Sequence, residues 1–475
     1  MNVIRARNDF SYLQTDDDDL ANKLYRALRF RKPGYFHSRL YKQKKWDGFI
    51  NFFNEKSGKF LTGLLPEVKA ALQTWGHPYA LEDSRTSVKF AVDKVDTDFL
   101  KPFPNPKGKP ITLDDYQADL INQAIKWHRG IIKAPTSAGK TYVMVGIMKA
   151  LPPNTPTLFL VNRRGLVSQN FKEFKGWGFN NVGRWDGDHH DPNFITCATA
   201  QSAMKLGKLL EKFRALIVDE VHMMMNPTAM KIYKKLTGCS VRLGISATPF
   251  KYGETDLVHK FGVKGYFGPL LLTETTPDGK LTTEYLQERG RLSASKCFFY
   301  YVDEPQLPHD IYIDAVTNGI AQNWAFHQLV TRLTKKLTGR TLILVERIAH
   351  GDALNNLIPG SLWVQGKDNE ETRDHVIKQL QEATGNIVAI ATQGIFNAGI
   401  NVFIHNLINA AGGKAEHDII QRMGRGLRTA DDKEVLHYFD FIFRINQYLE
   451  DHSWQRIKIL TKEKHEVHVM KQINF

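Results

Sequence analysis

The segment GIIKAPTSAGKT, residues 130–141, constrains this chain more than any other. A short apolar run, Gly130 to Lys133, leads into a turn that ends at Gly139, and a helix-forming stretch follows. Strand, glycine turn and helix in that order make a loop whose backbone N–H groups wrap phosphate oxygens, with the helix N-terminus adding a favourable dipole. Thr136, Ser137, Ala138 and Gly139 would form the cradle. Lys140 would reach the β- and γ-phosphates of ATP, and the Thr141 hydroxyl would bind Mg²⁺. Ala134 departs from the simple pattern, which has glycine there.

The surrounding chain supplies the sheet such a loop requires. Apolar runs at 157–161, 194–199, 215–218 and 241–246 alternate with polar or helical sequence. The pattern returns at 341–345, 386–392, 407–411 and 435–441. Continuous apolar runs of this kind suit strands covered on both faces of a parallel sheet. The expected fold is therefore α/β, with two parallel-sheet units in series. A length of 475 residues agrees, being too long for one ordinary core.

The stretch KPFPNPKGKPITL, residues 101–113, carries four prolines and reads as a linker. The expected divisions are 1–108, 109–285, 286–450 and a tail, 451–475, with no functional signal of its own. Residues 268–291 lack a strong strand and would carry the crossing between the two units. Asp16 to Asp19 would open the helix that follows them, where negative charge suits the dipole.

A formal net charge of +14 favours a polyanionic partner, either nucleic acid or an anionic membrane. No apolar run reaches spanning length, and the first ten residues lack a signal-peptide core, so a cytoplasmic protein is expected. Cys197, Cys239 and Cys297 are widely spaced and read as buried apolar residues.

Two more motifs extend the phosphate chemistry. In ALIVDEVH, residues 215–222, a strand ends in two acids at the edge where open α/β sheets bind ligands. Asp219 would hold Mg²⁺ through its water shell, and Glu220 would act as general base on the attacking water. In QRMGRGLR, residues 421–428, Arg425 and Arg428 lie three apart on one helix face. Such guanidiniums can stabilise charge on a transferred phosphoryl group.

Together these motifs resemble those of the superfamily-two helicases in their DExH branch, in the family's order. Tyr116 and Gln117 resemble the adenine-reading motif, APTSAGKT motif I and DEVH motif II. VNRRGLVSQ (161–169) looks like motif Ia, ATAQS (198–202) like Ib, and SATP (246–249) like motif III, which couples hydrolysis to lobe movement. LILVER (342–347) looks like motif IV, ATQGIFNAGIN (391–401) like motif V, and QRMGRGLR like motif VI. The resemblance implies two tandem RecA-like parallel-sheet lobes. It assigns Gln117 and Gly399 to ATP binding, Gln421 with Arg425 and Arg428 to catalysis, and Ser246 and Thr248 to coupling. Arg163, Arg164, Gln201, Ser202 and Thr392 match positions that contact the nucleic-acid backbone.

YKQKKWDGFI (41–50) and GLLP (63–66) are similar to the N-terminal accessory domain of the phage UvsW-type helicases. That family is associated with fork regression, Holliday-junction branch migration and removal of RNA–DNA loops. A small N-terminal α+β accessory domain follows. Residues 26–69 hold eleven Lys or Arg against three acids, interleaved with aromatics. Lys42, Lys44, Lys45 and Trp46 would meet nucleic acid, whereas Phe49, Phe52 and Phe53 read as core. DGDHHD (186–191) imitates a metal cluster but reads as a polar loop.

The expectation is an ATP- and Mg²⁺-dependent, monomeric motor on duplex, forked or four-way-junction DNA, with an RNA–DNA hybrid as a further track. The alternatives are an RNA helicase and an ATP-driven DNA translocase or clamp that does not separate strands.

Overall fold

The computed structural model describes residues 2–250, 256–308, 311–368, 370–396, 403–414, 416–427 and 435–470. The chain forms two compact units, Met1–Ala134 with Gly139–Leu281, and Thr282–Phe475 with Pro135–Ala138.

The first unit is built on a sheet whose strand order is 190–191, 182–185, 195–199, 157–161, 215–219, 241–246, 129–133, 270–271. All neighbouring strands are parallel except the first pair. The runs read from sequence as strands are strands, and residues such as Leu160, Ile217 and Ile245 are fully buried. Burial on both faces explains why these segments lack polar alternation.

The N-terminal module has its own four-stranded sheet, ordered 59–61, 10–14, 2–6, 79–83, over the helices Asp18–Ala27 and Leu65–Thr74. Asp17 caps the first helix by accepting from Leu20 N–H, so the acidic run opens that helix as expected. Phe53 lies in the module's core and Phe52 packs against it. Although 1–108 reads as a separate domain, the module is grouped with the first parallel sheet. The helix Leu257–Phe267 is the reason. Its Phe261 ring lies 4.4 Å from that of Phe30, and Lys264 pairs with Glu67 at 2.7 Å. A Cβ on Gly63 would come 2.0 Å from the Lys264 carbonyl oxygen, so glycine is required for this close backbone approach. The proline-rich stretch also packs down, since Pro106 and Pro104 fill the space over Gly176 and Gly178.

The second unit carries an all-parallel sheet ordered 362–364, 387–392, 340–345, 406–409, 435–443, 294–302, 466–470. Two expected boundaries shift here. Residue 285 falls inside the helix Thr283–Glu288, and residue 450 inside the helix Gln447–Lys462. The expected tail is a working part of the sheet: strand Glu466–Met470 pairs with Ala294–Val302. Within the same unit, the fully buried Asp440 accepts from Arg456 Nη2 at 2.8 Å and Nε at 2.9 Å, from the Tyr438 hydroxyl at 2.6 Å and from Asn409 Nδ2 at 2.9 Å. Asn409 Oδ1 in turn accepts from Arg422 at 2.7 Å. A buried carboxylate persists only with donors of this quality around it. The network ties the C-terminal helix to the helix Glu416–Gly426, which bears the third motif.

Candidate nucleotide site and nucleic-acid face

Parallel strands deliver the predicted residues to a single edge. The phosphate loop follows strand Arg129–Lys133, Arg163 and Arg164 follow Thr157–Val161, and Gln201 and Ser202 follow Ile195–Thr199. Asp219 ends Ala215–Asp219, and Ser246 ends Val241–Ser246. Because these five strands run the same way, all of these residues stand at their carboxyl ends, where α/β sheets hold ligands.

In the loop, Gly139 has φ +75°, and a Cβ there would come 2.2 Å from Gln117 Nε2. Only glycine serves at this point. Ser137 also adopts positive φ, at 69°, the kind of outlier that clusters at ligand sites. Helix Lys140–Ala150 starts directly after Gly139. Gln117 Oε1 accepts from Asp114 N–H at 2.9 Å within a capping box. Its side chain therefore starts its own helix as well as packing beside Gly139.

Lys140 Nζ donates to Glu220 Oε1 at 2.8 Å, and Ser246 Oγ donates to Glu220 Oε2 at 3.0 Å. His222 Nδ1 lies 2.8 Å from Ser246 Oγ and 3.4 Å from Glu220 Oε2. The same Ser246 oxygen accepts from Thr248 N–H at 3.0 Å. Glu220 is in the left-handed region, with φ 48°, which turns its side chain out of the strand direction. Burial pushes its carboxyl up, but the Lys140 ammonium and the His222 ring outweigh that and hold it below the usual carboxylate range. His222, to which the sequence alone gives no role, joins this cluster; its one signal is the last letter of DEVH.

The residues fit a nucleotide with Mg²⁺. The Thr136 Oγ1 atom in the loop is buried with no partner, and so is Thr248 Oγ1. The Thr141 hydroxyl and the Asp219 carboxylate are hard oxygen donors of the kind Mg²⁺ takes beside phosphates and water.

The nucleic-acid candidates divide. Arg163, Arg164 and Gln201 are exposed, as are Lys42, Lys44 and Lys45. Trp46 is half-buried and donates to the Phe49 carbonyl at 2.7 Å, which fixes the turn behind those lysines. The Phe49 ring is half-buried and stacked by Arg29 at 4.0 Å and Arg31 at 4.8 Å, so it is not simply core. Ser202 departs from expectation. Its hydroxyl accepts from Thr199 Oγ1 at 3.1 Å, in the cap of the helix Ala200–Ala203, and the residue is buried. Thr392 is buried at the end of strand Ile387–Thr392.

Asp186 forms a turn: it accepts from the N–H groups of Asp188 and His189 at 3.0 Å and from Arg184 at 2.9 Å. Among the described residues no group of three His, Cys, Asp or Glu could hold a metal ion. The three cysteines are buried. No helix among the described residues is long and apolar enough to cross a membrane. Gly399, Asn401 and Arg428 lie outside the described residues, as do the side chains of Gln421 and Arg425.

Residues 110–251 match the family model described as type III restriction enzyme, res subunit. The ATP-dependent DNA helicase UvsW of Enterobacteria phage T4 is 24% identical over 508 residues, covering 98% of each chain. The DNA 3'-5' translocase XPB2 of Sulfurisphaera tokodaii is 24% identical over 380 residues, 70% of this chain and 82% of that protein. Among solved structures, the fragment of a putative HsdR subunit of a type I restriction enzyme from Vibrio vulnificus shares the fold, with a TM-score of 0.54 at 17% identity over 79% of this chain and 70% of that one.

Proposed function

We propose that this chain, a superfamily-two helicase of the DExH branch similar along its length to phage T4 UvsW, is an ATP-driven motor that remodels branched DNA. On this reading its reactions are fork regression, Holliday-junction branch migration and removal of RNA–DNA loops. The observation that carries the motor is the cluster of Lys140, Glu220, Ser246 and His222 beside the phosphate loop. UvsW is an ATP-dependent DNA helicase, and similarity over 98% of both chains supports the same class of track.

Bound ATP with Mg²⁺ supplies an electrophilic γ-phosphorus, and Thr141 and Asp219 would hold the metal. Lys140 leaves Glu220 for the phosphate oxygens. Glu220 then loses its main counter-charge while remaining partly buried, so its proton affinity rises. A carboxylate of raised basicity takes the proton of the attacking water more readily. Ser246 and His222 touch the same carboxylate, so they sense whether Lys140 is present. Arg425 and Arg428 add positive charge as the phosphoryl group transfers. Movement follows if the two nucleotide states favour different conformations. Arg163, Arg164, Gln201 and the lysines at 42, 44 and 45 grip phosphate and sugar, which gives sequence-independent binding.

The match of residues 110–251 to a restriction-subunit model supports a second reading, a duplex translocase that does not separate strands. ATP turnover and strand displacement measured side by side separate the two, on fork, four-way junction, duplex, single strand, RNA and RNA–DNA hybrid. Branched DNA should stimulate turnover most and be unwound or migrated. Stimulation by duplex without displacement would favour the second reading, and stimulation by RNA alone would overturn both. Binding should fall on the order of 10³-fold or more between 50 and 200 mM salt if six or more phosphates are contacted. Flat affinity over that range would contradict backbone tracking.

A further inference from the structure

Arg129 is the first residue of the strand whose far end feeds the phosphate loop. At about 3.3 Å per residue the strand separates the two places by roughly 13 Å, so Arg129 stands at the sheet edge opposite the nucleotide site. Its side chain lines a cavity of about 650 Å³ between the N-terminal module and the first parallel sheet. Lys69, Arg85 and Lys126 lie on the same walls. Among the described lining residues Asp83 is the one carboxylate, and Arg85 occupies both its oxygens at 2.8 and 2.5 Å.

Arg129 itself is poorly satisfied. It is 8% exposed, and its Nη1 and Nη2 reach only the Asn8 and Tyr266 carbonyls at 3.3 and 3.2 Å. Its Nε has no partner. Burial, then the nearby Arg242 and Arg85 cations, push it down to about 9, the behaviour of a buried charge without a counter-ion. Arg242, still more deeply buried, differs. Its guanidinium donates to three carbonyls, of Cys239, Tyr233 and Leu236, the last two at the end of the helix Pro227–Lys235, so that helix terminus compensates it. Trp127, 51% exposed, stands on the cavity wall beside Lys126.

From this arrangement we infer that the cavity is a second phosphate-binding site, separate from the ATP site, formed by Lys69, Lys126 and Arg129. Several cations on separate elements, with one neutralised acid among them, suit a multiply charged oxyanion better than a single carboxylate. Two sources carry that chemistry, a nucleic-acid backbone and a free phosphate or nucleotide. The site goes beyond the proposed motor, which operates without it.

The test is the double variant Lys69→Glu with Lys126→Glu, since Arg129 also braces Asn8 and Tyr266 and its loss alone could unfold the module. The control carries Lys208→Glu with Lys212→Glu, an equal charge change on exposed residues elsewhere in the unit. Two readouts apply to the full chain: the slope of log affinity for a fluorescent duplex against log salt, and the rise in Tm given by pyrophosphate. ATP turnover without DNA should match wild type in both variants. If the site takes a nucleic-acid backbone, the slope should shrink by about 2 in the test variant and not in the control. If it takes free phosphate, the slope should hold and part of the pyrophosphate Tm rise should vanish in the test variant alone. Both readouts unchanged, or an equal loss in the control, would overturn the site while leaving the motor reading intact.

Discussion

Lys140→Ala is expected to reduce ATP turnover to background while duplex DNA binding survives. Lys140, in the phosphate loop, donates to the general-base candidate Glu220 at 2.8 Å. The substitution removes the cation for the β- and γ-phosphates and also strands Glu220 with its remaining partners Ser246 and His222. A partly buried carboxylate without its counter-ion is a stability cost as well as a catalytic loss. Lys140→Arg separates the two effects, because it keeps a cation against Glu220. It should restore Tm yet leave turnover far below wild type, since a planar fork does not reproduce a point charge. Filter binding of duplex and a phosphate-release assay check both. Turnover near wild type in Lys140→Ala would refute the assigned role.

Arg425→Ala is expected to bind ATP with near-normal affinity and to turn it over about 10³–10⁵-fold more slowly, the contribution of an arginine that stabilises transferring phosphoryl charge. Its basis is the motif at 421–428 and the way this unit holds the helix Glu416–Gly426. Arg422 on that helix is buried and bonded to Asn409 and Gly412, which fixes the helix that carries position 425. Equilibrium binding of a fluorescent ATP analogue beside steady-state turnover gives the two numbers. A variant that loses ATP binding and turnover equally would point to a ground-state role instead.

Much of this was legible in the sequence for a physical reason. Strands buried on both faces write themselves as unbroken apolar runs, so 157–161 and 241–246 emerged with the bounds the structure gives. The phosphate loop was equally plain, because Gly139 meets a conformational demand and a spatial one. Edge elements were not. Glu466–Met470 mixes Glu, His and Val and is half-exposed, so its pattern resembles a solvated tail until the sheet it joins is seen. Ala294–Val302 begins with polar alternation, which hid a nine-residue strand.

In the site, residue types with stereotyped chemistry were found and contacts between distant segments were not. Nothing local in DEVH or in SATP reveals that Glu220, Ser246 and His222 share hydrogen bonds. Ser202 shows the converse. The motif match pointed outward to nucleic acid, but a hydroxyl at a helix start is claimed by its own cap. Arg129 also escaped notice, since a strand-opening arginine looks like a surface charge until burial is known.

The most direct measurement is a single-turnover comparison of wild type and Glu220→Gln on forked DNA, with ATP binding, phosphate release and strand displacement followed in the same reactions. The account predicts that Glu220→Gln binds ATP and the fork, releases phosphate at least about 10²-fold more slowly, and displaces no strand. Phosphate release and displacement at wild-type rates in Glu220→Gln would contradict it.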